Sequence, residues 1–547
     1  MKQTTRAPHH TAGARIEGRI TPSASDSLLG RIESCVCSWY DLEPQSGALF
    51  VLLGGFTLLW LVFQIISYAA IDLHPDPLEM FAWSRHPSAG YFKHPPLGAW
   101  MVSIWFSIFP TTDWAFQLFS GVNAAVALYS VYMIARLYGA GDKPLFVVLL
   151  LMLTPFYQFN AQRFGANQVL LSLWPIATYC FLRAFMTRAL GWSAAAGIAA
   201  AFAVLGKYFS IFLVVAFVGA AAADPRRSDY LKSTSPWISA IAGLAVLIPH
   251  LHWLITTGYQ PMDYALHAHQ AATFFAALLA SANYVIGGIL YMLLPTVTYL
   301  ILVRPDWRVL IEAVWPSDPD RRLLAMILWT SLGVPAVVAP VLRTELVPLW
   351  TIQGWFLFPI LLVAPVRIVL TRLAAVRLAI AVLLASVAIL LSAPANAWVK
   401  HIYGTQEGRG YFRAVAAEVS RLWHETMAVP LTIVDGDSVL ATAVTFYSSD
   451  RPDYIPNFNL AYAPWMTAER LDREGFAIVC RSADSACMHN AQLCAASYSD
   501  ARIEEVAVVP RLFGTLGAPK QFTIVILPPR CRLSRWTDIY GRNRSTA

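Results

Sequence analysis

Residues 71–97 hold the densest group of side chains suited to chemistry. The stretch reads IDLHPDPLEMFAWSRHPSAGYFKHPPL. Its ionisable side chains stand among aromatic residues and prolines: Asp72, His74, Asp76, Glu79, Arg85, His86, Lys93 and His94. A carboxylate can act as a general base on a hydroxyl, and a cation can hold a phosphate. A solvated loop with surface ion pairs is the alternative, but the aromatic content favours a packed surface.

Three further cations, Arg163, Lys207 and Arg343, stand at the ends of apolar segments. Basic residues in such positions often mark a site for an anion. A snorkelling side chain at the membrane interface is the alternative for each of them taken singly. Together with the acidic stretch, they predict a site that combines a base with a phosphate clamp. Transfer of a sugar from a lipid phosphate is a reaction that needs both.

The composition predicts that this site lies at a membrane. Hydrophobic residues make up 57% of the 547 residues and charged residues only 13%, whereas about 25% is usual for a soluble protein. This argues against a disordered chain and against an ordinary soluble enzyme. Eleven segments are apolar and long enough to be predicted as spans. They are 48–70, 114–138, 144–160, 166–186, 190–206, 208–224, 237–257, 280–303, 323–342, 346–365 and 374–394.

The distribution of basic residues predicts the orientation. With the N-terminus in the cytoplasm, most basic residues before 394 fall on the cytoplasmic side. The outer side then holds only Arg85, Lys93, Arg163, Lys207 and Arg343. This pattern requires the short apolar segment 95–110 to be a helix at the interface and not a span. The net charge of +7 reflects the inner arginines and does not predict nucleic-acid binding.

The apolar segments and the distribution of charge predict three regions. We predict a disordered cytoplasmic tail over 1–47, a transmembrane catalytic domain over 48–394 with its first outer loop at 71–113, and a periplasmic domain over 395–547. The last region is richer in charge and reads as mixed α/β. Its predicted strands lie near 430–434, 475–480 and 521–528, and its predicted helices near 410–427 and 466–473.

Four cysteines occur in the last region, at Cys480, Cys487, Cys494 and Cys531. In an oxidising compartment they could form two disulfides, with three possible pairings. Four free thiols are the alternative. The spacing does not fit a zinc site built from paired CxxC motifs.

The first outer loop carries two motifs that resemble a known family. DPLEMFAWS (76–84) and YFKHPPLGAW (91–100) resemble motifs of the C-superfamily (GT-C) of integral membrane glycosyltransferases. The resemblance is greatest to the family of protein O-mannosyltransferases and lipid A aminoarabinose transferases. Weaker matches are RFGAN (163–167), LGKY (205–208), PHLHW (249–253), YSSDRP (447–452) and APW (463–465). The resemblance covers roughly 48–480.

The resemblance implies that Asp76 is the catalytic base. One departure concerns its neighbour, because Pro77 replaces the glutamate that usually follows the aspartate in bacterial members. Glu79 could substitute as the active carboxylate if the loop bends, and so could Asp72. The choice among these carboxylates stays open at the level of the sequence.

The resemblance also implies that the His94 position contacts the donor phosphate. We infer additional phosphate ligands in Lys93 and Lys207, with help from Arg163. The predicted substrate pocket contains Tyr91, Tyr208, Asp263, His267 and Arg343. A divalent metal near the first outer loop is a feature of some relatives. Its candidate ligands are His74, His86, His94, His267 and His269, and no spacing requires it.

These inferences predict an inverting glycosyltransferase of the bacterial inner membrane. The donor would be a polyprenyl-phosphate-linked sugar used on the periplasmic face. The acceptor would be a lipid-linked glycan, lipid A or a lipopolysaccharide core sugar. A transporter or flippase of a lipid-linked sugar is one alternative, and a catalytically silent scaffold is another.

Overall fold

The computed structural model describes residues 28–42, 47–139 and 141–529. Their first part is almost entirely helical. The helices are α1 (Leu28–Tyr40), α2 (Gly47–Ser67), α3 (Pro75–Ser84), α4 (Leu97–Ile108), α5 (Asp113–Tyr138), α6 (Lys143–Leu151), α7 (Val169–Thr187), α8 (Leu190–Gly206), α9 (Ile211–Ala223), α10 (Arg227–Leu231), α11 (Ser235–Thr256), α12 (Gln260–Ala268), α13 (Phe274–Tyr291), α14 (Leu293–Val303), α15 (Trp307–Val314), α16 (Pro319–Val341), α17 (Leu357–Val363) and α18 (Arg372–Tyr403).

Seven helical segments of the described residues are long and apolar enough to cross a membrane. They are Gly47–Ser67, Asp113–Tyr138, Val169–Thr187, Ser235–Thr256, Phe274–Val303, Pro319–Val341 and Arg372–Tyr403. Each coincides with one of the eleven predicted spans. The prediction of a polytopic α-helical membrane protein is therefore confirmed.

The other four predicted spans differ from single long helices. Segment 190–206 is the 17-residue helix α8, and 208–224 is the shorter apolar helix Tyr208–Ala223. Segment 144–160 breaks after α6 because Pro155 interrupts it, and a five-residue π-helix, Phe156–Asn160, follows. Segment 346–365 contains only a 3₁₀ turn at Pro348–Thr351 and the seven-residue helix α17. The residues of α6 are almost all buried, and non-helical backbone at membrane depth is tolerated where protein covers it.

Helix α1 corrects part of the predicted disordered tail. Its side chains Ile32, Val36 and Tyr40 are spaced by four residues, so they share one face, and this face is buried or partly buried. The helix packs against α18, and Trp39 Nε1 donates to the carbonyl of Ala48 over 2.9 Å. The amphipathic period of this segment explains why it folds. The rest of the predicted tail, 1–27 and 43–46, lies outside the described residues.

The first outer loop contains two helices, α3 and α4. Helix α4 lies where a helix at the interface is predicted over 95–110. Helix α3 carries Pro75 and Pro77 in its first turn, where a backbone N–H has no intrahelical partner. Both prolines therefore favour a helix start at this point, and this start fixes the position of Asp76.

The C-terminal region is built around a mixed sheet. The five-stranded sheet has the order β2-β1-β3-β7-β4, and a separate hairpin pairs β5 with β6. Strand β1 runs parallel to β2 and β3, whereas β7 is antiparallel to β3 and β4. The elements are β1 (Ile433–Gly436), β2 (Asp453–Tyr454), β3 (Phe476–Arg481), β4 (Arg502–Val508), β5 (Arg511–Leu512), β6 (Thr515–Leu516), β7 (Lys520–Leu527), α19 (Phe412–Thr426), α20 (Ser438–Tyr447), α21 (Ala468–Glu474) and α22 (Ser485–Ala496). The three predicted strands and both predicted helices are confirmed.

The C-terminal region packs directly on the first outer loop. Helix α20 contacts α3, where the ring of Phe446 meets that of Phe81 edge-on at 4.9 Å. The hydroxyl of Tyr447 accepts a hydrogen bond from Leu73 N over 2.9 Å. The predicted domain boundary at 394 falls inside α18, which continues to Tyr403. One continuous helix thus joins the two regions.

The cysteines of the C-terminal region form one disulfide within the described residues. Cys480 in β3 is bonded to Cys487 in α22. Cys494 is a buried free thiol, which corrects the expectation of two disulfides for this residue. Cys531 lies outside the described residues.

Candidate active site

Asp76 is the most exposed of the three candidate carboxylates. Its side chain is 44% exposed, against 15% for Glu79 and 10% for Asp72. It lies in the first turn of α3, where the helix dipole stabilises negative charge. A Cβ atom added to Gly165 would lie 3.0 Å from Asp76 Cβ. Asp76 therefore sits against the RFGAN segment.

His74 connects Asp76 to Arg163. Its Nε2 lies 3.2 Å from Arg163 Nη1, and its Nδ1 lies 3.4 Å from Asp76 Oδ2. Nδ1 also accepts a hydrogen bond from Asp76 N over 3.2 Å and thereby caps the start of α3. Burial lowers the pKa of His74, while the charge of Asp76 opposes this shift. His74 thus holds the backbone of Asp76 at the start of α3 and contacts Arg163.

Glu79 is held by Lys93. Both carboxylate oxygens lie 3.2 Å from Lys93 Nζ. Burial raises the pKa of Glu79, and the charge of Lys93 opposes this shift. The ring of Tyr264 lies on the other side of the ammonium, 5.5 Å from Nζ. Glu79 is therefore the counter-ion of Lys93, which makes it a poor candidate for the base.

Asp72 is engaged by the C-terminal region. Its carboxylate accepts from Arg413 N over 3.2 Å, and its backbone N–H donates to Arg409 O over 2.8 Å. Burial raises the pKa of Asp72 to about 7, against the hydrogen bond and charge of Arg413. These contacts give Asp72 a role in docking the two regions. The geometry thus favours Asp76 over both other carboxylates.

Lys207 stands at the end of α8 among polar and aromatic partners. Its Nζ donates to Asn167 Oδ1 over 2.6 Å and lies 4.3 Å from the ring centre of Trp350. Burial lowers the pKa of Lys207 to about 7, and the charge of Asp76 opposes this shift. Lys207 and Asp76 are therefore close enough for their charges to interact.

His94 and His269 lie within electrostatic range of Lys207. Burial lowers the pKa of His94 well below its usual value, and the charges of Lys93, Lys207 and His269 lower it further. Burial likewise lowers the pKa of His269, with Lys207 contributing. His269 stands edge-on to Trp350 with ring centres 4.9 Å apart. The structure thus brings His94 and His269 within electrostatic range of Lys93 and Lys207, and both lysines within range of Asp76.

Two of the predicted pocket residues, Tyr91 and Tyr208, form hydrogen bonds within the first outer loop or to a residue that contacts it. The hydroxyl of Tyr91 donates to Trp83 O over 3.0 Å, and its ring stacks on the indole of Trp83. Tyr91 is buried within the loop, and its place in the substrate pocket stays a prediction. Tyr208 lies 3.0 Å from His250 Nε2, and His250 Nδ1 lies 2.6 Å from Ala89 O. These two contacts connect Tyr208 to the first outer loop through the hydrogen-bonded side chain of His250.

Three other predicted pocket residues do not converge on Asp76. Asp263 and His267 form an exposed pair on α12, with 3.2 Å between Oδ1 and Nδ1. Arg343 is exposed in a left-handed backbone conformation, and its carbonyl accepts from Ala271 N over 2.7 Å. Tyr264, next to Asp263, is the residue of α12 that reaches Lys93.

The sequence gives no signal for the role of Glu407. Its Oε1 lies 3.9 Å from His74 Nε2, so it closes the site from the side of the C-terminal region. Its segment runs between Gly404 and Gly408, whose φ angles of 71° and 73° favour glycine. Charge alone does not distinguish this glutamate from others of the C-terminal region.

Asp453 joins the C-terminal region to the first outer loop. One carboxylate oxygen lies 2.8 Å from His86 Nε2 and 3.3 Å from Arg85 Nη2, and the other lies 2.9 Å from Arg470 Nη2. Burial alone would raise its pKa, but these partners lower the pKa of Asp453 to about 2. Trp465 of the APW motif stacks on His86 at 4.8 Å. The weak motifs of the C-terminal region thus mark a docking contact.

The described residues do not support a metal site. Across 28–42, 47–139 and 141–529, no three His, Cys, Asp or Glu side chains are grouped so as to hold an ion. His86 and His267 pair with Asp453 and Asp263, and His74 pairs with Arg163. The arrangement of these side chains therefore does not fit a divalent metal.

Two named proteins are similar to this chain in sequence. Lipid A galacturonosyltransferase RgtD of Rhizobium johnstonii is 26% identical over 299 residues, which cover 52% of this chain and 60% of the relative. Lipopolysaccharide core galacturonosyltransferase RgtB of the same organism is 26% identical over 209 residues, which cover 38% and 42%. The chain thus spans less than two thirds of the length of these relatives.

A family model and two solved structures extend the comparison. The model of the dolichyl-phosphate-mannose-protein mannosyltransferase family matches residues 93–253. ArnT from Cupriavidus metallidurans bound to undecaprenyl phosphate superposes with a TM-score of 0.52 at 15% identity, over 87% of this chain and 97% of ArnT. The apo form gives 0.50 at 15% identity, over 87% and 98%. The chain therefore has the fold of the C-superfamily of membrane glycosyltransferases, and its resemblance to that superfamily is confirmed.

Proposed function

We propose that the protein is an inverting glycosyltransferase that uses a polyprenyl-phosphate sugar on the periplasmic face of the bacterial inner membrane. The observation that carries this proposal is the exposed carboxylate of Asp76 within electrostatic range of Lys207, which in turn interacts with His94 and His269. The two relatives named as galacturonosyltransferases and the ArnT structure with undecaprenyl phosphate support it. The acceptor is a lipid-linked glycan, lipid A or a lipopolysaccharide core sugar.

The proposed chemistry is a single displacement. Asp76, oriented by His74, accepts the proton of the acceptor hydroxyl. The acceptor oxygen forms a bond to the anomeric carbon of the sugar, and the bond from that carbon to the phosphate oxygen breaks. The electron pair leaves with the polyprenyl phosphate, whose negative charge Lys207 stabilises. Attack opposite to the leaving phosphate inverts the anomeric centre.

The cations around Asp76 also suit an acidic donor sugar. Arg163 contacts an imidazole and not a carboxylate, so its positive charge is available to a second anionic group. A uronic acid carries such a group in addition to the phosphate. Because both relatives are named as galacturonosyltransferases, polyprenyl-phosphate galacturonic acid is the first donor to offer.

The test is a transfer assay with purified protein in detergent. Polyprenyl-phosphate galacturonic acid is offered with lipid A or core lipopolysaccharide, and the product is identified by mass spectrometry. We expect transfer by the wild type and its loss in Asp76→Asn. Movement of labelled donor across proteoliposomes without a new glycosidic bond would favour a flippase. Absence of both activities with every donor and acceptor offered would favour a silent scaffold.

A further inference from the structure

A cavity lies between the outer ends of α2 and α5 and the C-terminal region. Its volume is about 870 Å³. The membrane side of its wall includes Ile65, Tyr68 and Trp114, and the side of the C-terminal region includes Arg413, Arg451 and Arg511. None of these residues belongs to the group around Asp76. The proposed chemistry therefore does not use this cavity.

The charges of this cavity favour an anion. Arg413 is paired with Asp72 and Asp113. Arg451 donates to Thr111 Oγ1 over 2.6 Å, and Arg511 is exposed on β5. Within the described part of the chain, no carboxylate forms an ion pair with either of these two arginines. Two guanidinium groups without an ion-pair partner in one cavity favour the binding of a phosphate.

The inner wall holds a buried acceptor without a donor. Gln117 is only 3% exposed, yet its Oε1 has no hydrogen-bond partner among the described residues. An unpaired buried acceptor costs free energy unless a ligand or water supplies a donor. A hydroxyl-bearing head group would supply one. The cavity thus offers positive charge on one wall and an unused acceptor on another.

The cavity opens at the level of the membrane surface. Ile65 stands near the end of α2 and is 50% exposed, and Trp114 stands at the start of α5 and is 40% exposed. Exposed apolar and aromatic side chains at helix ends are typical of the boundary between hydrocarbon and head groups. A ligand in the cavity would therefore extend its apolar part into the bilayer.

The cavity and the candidate active site share the segments between them. Asp72 lines the cavity and lies four residues before Asp76. Gln117 lies one helical turn before Ser120, whose hydroxyl accepts from Phe164 N over 3.3 Å, next to Arg163. A head group bound in the cavity would thus lie beside the two segments that carry Asp76 and Arg163.

We infer that this cavity binds the phosphorylated head group of the glycolipid acceptor. Arg451 and Arg511 hold the phosphate, Gln117 accepts a hydrogen bond from a sugar hydroxyl, and the acyl chains remain in the bilayer. The assignment as acceptor rests on the proposed function, whereas binding of a phosphorylated lipid does not.

The experiment measures lipid binding to the full chain in detergent, without any donor. The probes are monophosphorylated lipid A, its dephosphorylated form, phosphatidylglycerol and inorganic phosphate. We expect Arg511→Gln and Gln117→Leu each to weaken binding of phosphorylated lipid A about tenfold. Arg511→Gln should leave binding of the dephosphorylated form unchanged. Gln117→Leu should not lower the unfolding temperature, since it removes an unpaired acceptor.

Arg502→Gln is the matched control, because Arg502 lies on β4 and pairs with Glu425 and Glu504 outside the cavity. It should bind as the wild type does. Equal binding by wild type and Arg511→Gln would overturn the site. Equal displacement by phosphatidylglycerol or inorganic phosphate would overturn the assignment to the acceptor. If the wild type binds phosphorylated lipid A selectively but transfers no sugar, the proposed function fails and the binding site stands.

Discussion

Nε2 of His74 lies 3.2 Å from Nη1 of Arg163, and this contact joins the first outer loop to the RFGAN segment. Nδ1 of the same ring accepts a hydrogen bond from Asp76 N over 3.2 Å and caps the start of α3. The base and one cation of the proposed phosphate site are therefore oriented by the same imidazole. Glu407 of the C-terminal region approaches this imidazole to 3.9 Å, so three distant parts of the chain meet at His74.

The role of Asp76 is tested by Asp76→Asn. We expect sugar transfer to fall at least about 100-fold, because loss of a general base typically costs this much. Binding of the polyprenyl phosphate should persist, since the cations remain. The comparison variant Asp72→Asn should keep most of its transfer activity. Equal transfer by wild type and Asp76→Asn would move the base to Glu79 or Asp72.

The lowered pKa of Lys207 predicts a pH-dependent affinity for the donor phosphate. A lysine with a pKa of about 7 loses its positive charge as the pH rises through 7. Affinity for polyprenyl phosphate should therefore fall by up to about tenfold per pH unit above 7. His94 and His269 do not account for this fall, because their lowered pKa values leave them neutral there. Glu79 raises the pKa of Lys93, which stays charged.

Lys207→Arg is the matched control for that measurement, because arginine stays protonated throughout the range. Binding to this variant, followed by fluorescence titration between pH 6 and 9, should depend much less on pH. A fall in affinity as steep as that of the wild type would show that a different group titrates.

The pair of Glu79 and Lys93 should behave as a partly buried ion pair. Glu79→Gln or Lys93→Met alone leaves one charge without its partner, and we expect each to destabilise the fold by about 2 kcal/mol. The double variant removes both charges and should recover part of this loss. Thermal unfolding of the four proteins in one detergent measures the coupling. Additive losses would mean that the two side chains act independently.

Hydrophobic periodicity and local motifs predicted the helices and strands whose formation depends on a short segment of sequence. The seven long apolar helices and the strands β1, β3 and β7 depend on local hydrophobic pattern, and all were predicted. The start of α3 depends on Pro75 and Pro77, which also place Asp76 in the first turn. The broken segments at 144–160 and 346–365 were not foreseen, because composition does not reveal that other helices bury them.

The separate roles of the three carboxylates depend on distant partners. Asp72 is engaged by Arg413, which lies 341 residues away, and Glu79 by Lys93 after a reversal of the chain. His86 finds Asp453 only when the C-terminal region docks. A single sequence presents all these residues as equivalent candidates, since it shows their types but not their partners.

The proposed orientation across the membrane can be tested with an impermeant maleimide. Cys35 is exposed on α1, and the distribution of basic residues predicts that this helix lies in the cytoplasm. Glu505 is exposed on β4 of the C-terminal region, so Glu505→Cys provides a reporter on the other side. In intact spheroplasts we expect labelling at position 505 and none at Cys35, which should react only after permeabilisation. Labelling of Cys35 in intact spheroplasts would place the N-terminus outside, and the site around Asp76 would then face the cytoplasm.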